Sequence, residues 1–585
     1  MLGVAKLKTM GNRPSSRKLF FPGVLLALLL PVSPAFAQTS SIPSRLSPDT
    51  IFYLHWRGNA GIAGADKKNH LLQLLEDPDF GPIRDAAVKG AQRSLESPGN
   101  PAPPLGLADV LSLLDNPVAL GVVASPPPSS ATPDAAPPIA GVFFVYDITG
   151  KAELIQRLKA ANEQSGREVP TVLSYDFGGT KVEARTNGTN VTYTAQTKTH
   201  YLVSDQKGII EDLITRFGGP AKPGSSVTQL PEYQAIRPYL GPDAAIEFFG
   251  RVPNLNKLIP ADRRDNPIAK AALQLHLEKI HALGGCVSFA SEATRVRGAA
   301  LGDTSPGSPF DLLGPSRATF LTQPIVYSGP VFSMARLDLA ATYQLLHGAA
   351  LAALNDQQKA VMTLYEGIAQ NFLGMPIVDA LQLFTGEFSS QSTFGVDGAL
   401  NKLFVISIQK PQDVTRILRA IAGGMIVGEE TEGDATYLSL SYPYKGPETG
   451  QQKRQPYFLA VTPQFLFVAP RKGLLKDAVA RGNPASDNAA AQNAGPGPEI
   501  LHLRTLLPEK LSGFGGADMT RIPWEKLFQP APAGGEGPPR TSPVSAQSPD
   551  WLKSVKPEAL TRHLHGAIGG EWKDSNGAYF DWYIE

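Results

Sequence analysis

The feature that most limits how this chain can fold is that its sequence runs through one pattern twice. Phe144-Val145-Tyr146-Asp147-Ile148, followed by Glu153, Leu158 and Ala160, aligns without gaps on Phe404-Val405-Ile406-Ser407-Ile408, followed by Asp413, Leu418 and Ala420, at an offset of 260. Ala195 to Arg216 aligns on Ala460 to Arg481 at an offset of 265, with identical pairs Thr197/Thr462, Val203/Val468, Lys207/Lys472, Gly208/Gly473, Asp212/Asp477 and Arg216/Arg481. Asp109-Val-Leu-Ser-Leu-Leu matches Asp379-Ala-Leu-Gln-Leu-Phe, and Arg251-Val252-Pro253 matches Arg521-Ile522-Pro523, both at 270. The opening strands correspond as Ile51-Phe52-Tyr53-Leu54 and Val331-Phe332-Ser333-Met334. A repeat this long is far above a solenoid period and predicts tandem duplication of a whole folding unit.

The expected organisation is therefore a first lobe over 46–312, a linker over 313–324 and a second lobe over 325–585. A chain of 585 residues exceeds what one core usually supports, which agrees with two units. Each lobe reads as hairpins separated by helices. Val191–Ala195 pairs with His200–Ser204, Tyr457–Val461 with Phe465–Ala469, and the final hairpin turns at Asn576-Gly577. Helices are expected over Asp66–Leu75, Gln206–Phe217 and Ile268–Leu283. The expected fold class is α+β: two tandem related lobes, each a mainly antiparallel sheet of hairpins covered on one face by helices. The Pro-rich stretch 125–138 reads as a loop inserted in the first copy, and 482–498 and 530–550, built of Pro, Gly, Ala and Ser, read as mobile loops.

Residues 1–37 predict a signal peptide. The segment holds five basic residues and no acidic ones, an apolar run from Leu19 to Leu30 broken only at Pro22-Gly23, and a small-x-small cleavage site, Ala35-Phe36-Ala37 before Gln38. The run is about a dozen residues, against roughly 20 for a membrane-spanning helix. No later stretch is long and apolar enough to span, so the expectation is an exported protein, periplasmic or extracellular, without a transmembrane segment once the signal is removed. The net charge is +1, and removal of the leader's five basic residues leaves −4. So weak a field gathers no phosphate backbone, and no nucleic-acid partner is expected. One cysteine, Cys286, rules out a disulfide framework and every multi-cysteine metal site.

Leu46-Ser-Pro-Asp-Thr-Ile-Phe-Tyr-Leu54 follows the leader directly, and Leu230-Pro-Glu-Tyr-Gln-Ala-Ile-Arg-Pro-Tyr-Leu240 precedes the strand Ile246–Phe249. This layout resembles an exported bacterial family catalogued only as a domain of unknown function, with a Leu-Pro-x-Asp-Thr opener after its signal and repeated α+β units. The resemblance implies export and a repeated fold, and implies no activity. Ser47 departs from the usual opener, and the second copy lacks a clear one near Gln323–Tyr327.

Signatures of known chemistry are missing: there is no P-loop, H-E-x-x-H, G-x-S-x-G or C-x-x-C. Gly513-Phe-Gly-Gly is misspaced for a dinucleotide loop. His563 and His565 share a face only if extended, and the pair lacks a third ligand, so no metal is assigned. His276, His281 and Cys286 step five residues at a time, which on a helix turns them away from one another. Cys286 reads as a buried thiol. His55-Trp56-Arg57 reads as core packing with a solvated rim. The acidic run Glu429, Glu430, Glu432 and Asp434 reads as a solvated turn. No catalytic residue, cofactor or metal is assigned. The expected function is a non-catalytic binding or interaction protein of the cell envelope, with a protein, peptide or glycan partner. The alternatives are a periplasmic hydrolase whose catalytic groups meet only in three dimensions, and a structural or assembly factor at the cell surface.

Overall fold

A computed structural model describes residues 42–59, 68–82, 85, 112–124, 140–157, 171–187, 190–219, 226–241, 244–252, 270, 274–290, 293–395, 400–445, 452–482, 495–528 and 556–585. The leader with its cleavage residues Ala35, Ala37 and Gln38, and the stretches 125–138 and 530–550, lie outside the described residues. Among the described residues no helix is long and apolar enough to cross a membrane.

The first half runs β1 (Thr50–Trp56), α1 (His70–Glu76), β2 (Val118–Ala124), β3 (Ala140–Asp147), β4 (Thr171–Phe177), β5 (Thr180–Asn187), β6 (Asn190–Gln196), β7 (His200–Ser204), α2 (Lys207–Phe217), α3 (Pro231–Leu240), β8 (Ala244–Gly250), β9 (Ile280–Phe289) and β10 (Thr294–Gly302). The second begins with α4 (Gln323–Val326), β11 (Val331–Arg336), α5 (Leu339–Ala353), α6 (Asp356–Leu373), α7 (Ile377–Gln382), β12 (Phe384–Phe394), β13 (Leu400–Ile408) and α8 (Pro411–Ala422). It continues with β14 (Ile426–Glu432), β15 (Ala435–Lys445), β16 (Gln452–Val461), β17 (Phe465–Ala469), α9 (Lys472–Gly482), α10 (Pro498–Arg504), β18 (Gly513–Asp518), α11 (Trp524–Phe528), α12 (Pro557–His563), β19 (Gly566–Lys573) and β20 (Gly577–Ile584).

Among the described residues, all twenty strands belong to one antiparallel sheet, a mixed α+β arrangement. The front half is ordered β4-β5-β6-β7-β3-β2-β1-β8-β9-β10. The back half is ordered β14-β15-β16-β17-β13-β12-β11-β18-β19-β20, the same order ten strands on. The sheet does not stop at the expected lobe boundary: β10 pairs with β20 from Thr294↔Ile584 to Leu301↔Gly577. Arg295 Nε donates to Asp581 Oδ1 across this seam at 2.8 Å, and Tyr583 donates its hydroxyl to Asp581 Oδ2 at 3.2 Å. Residues of the expected linker are bound to the back half, Gly314 N donating to Arg336 O and Arg317 N to Leu511 O.

Several repeated residues make the same bond in both halves. Thr197 closes the β6–β7 turn, its amide donating to His200 O at 2.9 Å and its hydroxyl oxygen accepting from His200 N at 3.0 Å. Thr462 does the same with Phe465 in β16–β17, at 2.9 and 3.1 Å. Arg251 donates to Pro48 O just ahead of β1 at 3.0 Å, and Arg521 donates to Ser328 O just ahead of β11 at 2.9 Å. Both arginines therefore staple the start of their half's opening strand.

The front core packs Tyr53, Phe143, Val145 and Leu202 under Ile210 and Leu213 of α2 and Ile236 and Leu240 of α3. The back core repeats this with Phe332, Leu403, Val405 and Phe467 under Leu475 of α9 and Ile500 and Leu503 of α10. A second apolar layer covers the opposite face of the back sheet, where Leu438, Leu459, Val461 and Leu466 meet Val414 and Ile417 of α8. One-sided cover was the expectation. Cover on both faces explains why β17 reads Phe465-Leu466-Phe467-Val468 with no polar alternation. The expected helix Ile268–Leu283 also differs, because Ile280–Phe289 is a strand. Its Gly284-Gly285 pair is poor in a helix and suits a close cross-strand approach.

Aromatic rings lie over glycines across the sheet: Phe248 opposite Gly285, Phe580 opposite Gly298 and Trp582 opposite Gly569. A Cβ on Gly285 would stand 2.6 Å from both Arg297 O and the Phe248 ring. Gly285→Ala is expected to cost about 1–3 kcal/mol by overpacking, read by urea unfolding. Gly473→Ala, at the second residue of α9 with nothing within 4 Å of a Cβ, is expected to be neutral or to stabilise by up to about 1 kcal/mol.

Candidate interaction surface

The residues singled out in the sequence are mostly taken up by structure. Cys286 is buried, its thiol within 3.5 Å of Tyr239 O, and burial pushes its pKa up to about 11. That removes the thiolate a reactive cysteine needs. His276 pairs with Glu278 at 3.0 Å and His281 is exposed on β9, so neither joins Cys286. His55 and Trp56 are buried, the indole donating to Leu114 O at 2.8 Å. Three of the four acids in the acidic run are taken up in ion pairs: Glu429 with Arg419, Glu430 with Lys472 at 2.8 Å and Glu432 with Lys476 at 2.6 Å. Gly513-Phe-Gly-Gly is the strand β18 itself. His563 and His565 part company. His563 Nε2 meets Asp77 Oδ2 at 2.8 Å, while His565 stacks edge-on against His70 at 4.8 Å.

A different feature stands out on the helices of the back half. Helix α6 is specified from end to end. Asn355 and Gln358 form a reciprocal capping box, with the Gln358 amide donating to Asn355 Oδ1 at 2.9 Å and the Asn355 amide donating to Gln358 Oε1 at 3.0 Å. Gly374, at φ +68°, closes its C-terminus. None of its 18 residues is buried. Its inward, half-buried positions are Lys359, Met362, Glu366, Ala369 and Leu373. Tyr343 of α5 donates its hydroxyl to Glu366 at 3.0 Å, and His347 lies 2.5 Å from the same carboxylate.

The outward face carries Val361, Leu364, Tyr365, Ile368 and Phe372, between 46% and 66% exposed. These fall at i, i+3, i+4, i+7 and i+11, an apolar stripe about 100° wide. A surface helix ordinarily turns such a stripe to the core; α6 rests instead on the narrower set Met362, Glu366, Ala369 and Leu373 and turns its large apolar side chains to water. On the same side of the sheet, beyond the end of α8, lies an open cleft of about 400 Å³ lined by Met425, Leu440, Tyr442, Tyr457 and Val468. Ile421 and Val427 are exposed beside it in the chain.

No protein-family model matches the chain, and no curated protein matches it. A solved structure titled "Structure of crystal form I of TP0453" aligns at 9% identity over 46% of this chain and 82% of that one, with a TM-score of 0.20. A score that low supports no inference about fold or function.

Proposed function

We propose that this chain is an exported, non-enzymatic interaction protein of the cell envelope, made by duplicating one α+β unit and fusing the copies. Its resemblance to the exported family of unknown function belongs to the same reading. Support for the duplication is the common strand order of the two halves, together with the repeated Thr197/Thr462 turns and Arg251/Arg521 staples. Support for export is the composition of residues 1–37.

The observation that carries the interaction role is the outward apolar stripe of α6. Its occupant is another protein offering an apolar groove, with the helix laid in at i, i+3, i+4 and i+7. A lipid surface fits less well. Membrane-surface helices draw on Lys and Arg along their polar face, and α6 has one Lys against Asp356 and Glu366.

The test is the triple variant Leu364→Gln/Ile368→Gln/Phe372→Gln. Because these side chains are exposed, its melting temperature is expected to match the parent, since surface changes usually stay within about 0.5 kcal/mol. A photo-crosslinker at Tyr365, in the native envelope fraction, is expected to trap one discrete protein that the triple change abolishes. Crosslinks that survive the triple change, or binding to lipid vesicles in place of a protein, would refute the reading.

A further inference from the structure

The two halves meet a second time away from the seam, where α1 packs on α12. Leu74, Leu75 and Phe80 interlock with Ala559 and Leu560. Asp77 takes both Arg562, at 2.5 Å, and His563. Asp79 pairs with Lys556 at 2.6 Å. This clamp sets His70, the first residue of α1, against the β19–β20 pair. There the His565 amide donates to Glu585 O at 2.8 Å, and the Glu585 amide donates to Gly566 O at 2.8 Å.

Three side chains converge as a result. One ligand atom each from His70, His565 and Glu585 lies within 4.8 Å of the others. Two of the three are also left without work: His70 Nδ1 and Glu585 Oε2 are buried and have no hydrogen-bond partner among the described residues. A buried polar atom without a hydrogen-bond partner is costly, and two in one cluster point to a place where something else supplies the bonds. Sequence order hides the trio, since 495 residues separate His70 from His565. It also offers His563 as the natural partner of His565, although His563 is committed to Asp77.

The geometry points to a site for a divalent transition-metal ion of the zinc class, held by His70, His565 and Glu585. Two imidazoles and one carboxylate form the borderline N/O set that zinc and its neighbours take, with a fourth position open. No thiolate is present to favour Cu(I) or an iron–sulfur cluster. Zinc ligands lie about 2.0–2.2 Å from the metal, so tetrahedral ligand atoms stand about 3.4 Å apart and the three here would draw together by up to roughly 1.4 Å on binding. An ion here would tie the front half to the C-terminal strand, and by binding only the folded chain it would stabilise it. The inference is independent of the α6 surface.

The experiment uses the full mature chain, stripped with chelator and titrated with Zn(II) in phosphate-free buffer by calorimetry. One ion per chain is expected, with a dissociation constant at or below about 10 μM and a rise in melting temperature. His70→Ala and His565→Ala are each expected to weaken binding by about 100-fold or more, since even outer-shell losses reach 10–100-fold. His502→Ala, an exposed histidine of α10, is expected to leave it unchanged. Should the alanine variants misfold, Co(II) loading of the parent chain tests the same ligand set, through the visible absorption of a four-coordinate N/O site. The absence of saturable one-to-one binding, a Co(II) spectrum of the free hydrated ion, or binding that persists at full strength in folded His70→Ala and His565→Ala would each overturn the proposal.

Discussion

Glu387→Ala is expected to cost the fold about 3–5 kcal/mol, the range for breaking a buried ion pair by removing one partner. Glu387 sits mid-strand in β12 at 4% exposure. Its Oε1 accepts from the Thr322 amide at 2.8 Å and from the Thr322 hydroxyl at 2.9 Å, and its Oε2 faces Arg336 Nη2 at 3.4 Å. Arg336 is equally buried. It donates to Leu511 O at 3.0 Å and to Thr319 O, and its guanidinium lies 3.9 Å over the Phe320 ring. Burial lowers the arginine pKa, partly offset by Glu387. Loss of the carboxylate would strand this cation and unfasten Thr322 at the start of α4.

A double-mutant cycle separates the pair from its surroundings. Arg336→Met and Glu387→Ala should each be strongly destabilising in denaturant titrations. The double variant should cost less than the two summed, because neither change then leaves an unpaired buried charge. Single losses under about 1 kcal/mol would mean that the cluster is solvated and that this account of the strand is wrong.

Much of this framework could be read from the residues alone, because repetition carries information that a single copy does not. Thr197 and Thr462 recur because each closes the same turn with both its amide and its hydroxyl. Arg251 and Arg521 recur because each reaches a carbonyl at the mouth of its opening strand. The repeated Gly208/Gly473 pair has no such reason, since both positions open onto free space.

What stayed illegible depends on contacts distant in the chain. Glu247 in Ala-Ala-Ile-Glu-Phe-Phe and Glu387 in Thr-Gly-Glu-Phe are lone carboxylates within strands. That pattern hints at a buried pair, but the partner comes from elsewhere. The α6 stripe was visible as a period, and only the packing of Glu366 against Tyr343 and His347 tells which side faces out. The run Ile280–Leu283 was read as the end of a helix because apolar residues without alternation suit either state. Its place between β8 and β10 decides for strand.

Acid is expected to unfold this protein well before its carboxylates are exhausted, because two histidines are buried neutral. Burial pushes His55 down to about 3, with Arg57 adding to the shift. Neither of its ring nitrogens has a hydrogen-bond partner among the described residues, and Glu247 stands 3.8 Å away, too far for one. Burial likewise pushes His200 down to about 4, against the pull of Asp147. Its ring packs 4.8 Å from Phe217 and its Nδ1 meets the Thr199 hydroxyl at 2.8 Å. Unfolded, both titrate near 6.5.

Between these values the unfolded chain holds protons that the folded chain refuses, so stability is full above about pH 6.5 and falls as pH drops, by about 1.4 kcal/mol per unit for each histidine. Glu247 works in the opposite sense. Burial raises its pKa, opposed by the hydrogen bond it accepts from Tyr53 at 2.9 Å. Its contribution is present at low pH and lost as pH rises through the raised value, which blunts the acid loss without cancelling two histidines. The net expectation is a loss of about 3–5 kcal/mol between pH 7 and pH 4.5, read from urea midpoints at each pH. His200→Gln should flatten that dependence by up to about half, since it removes one of the buried imidazoles that take up a proton on unfolding. A stability curve that is level from pH 7 to pH 5, or one that His200→Gln leaves unchanged, would show that these imidazoles already carry their protons in the folded state.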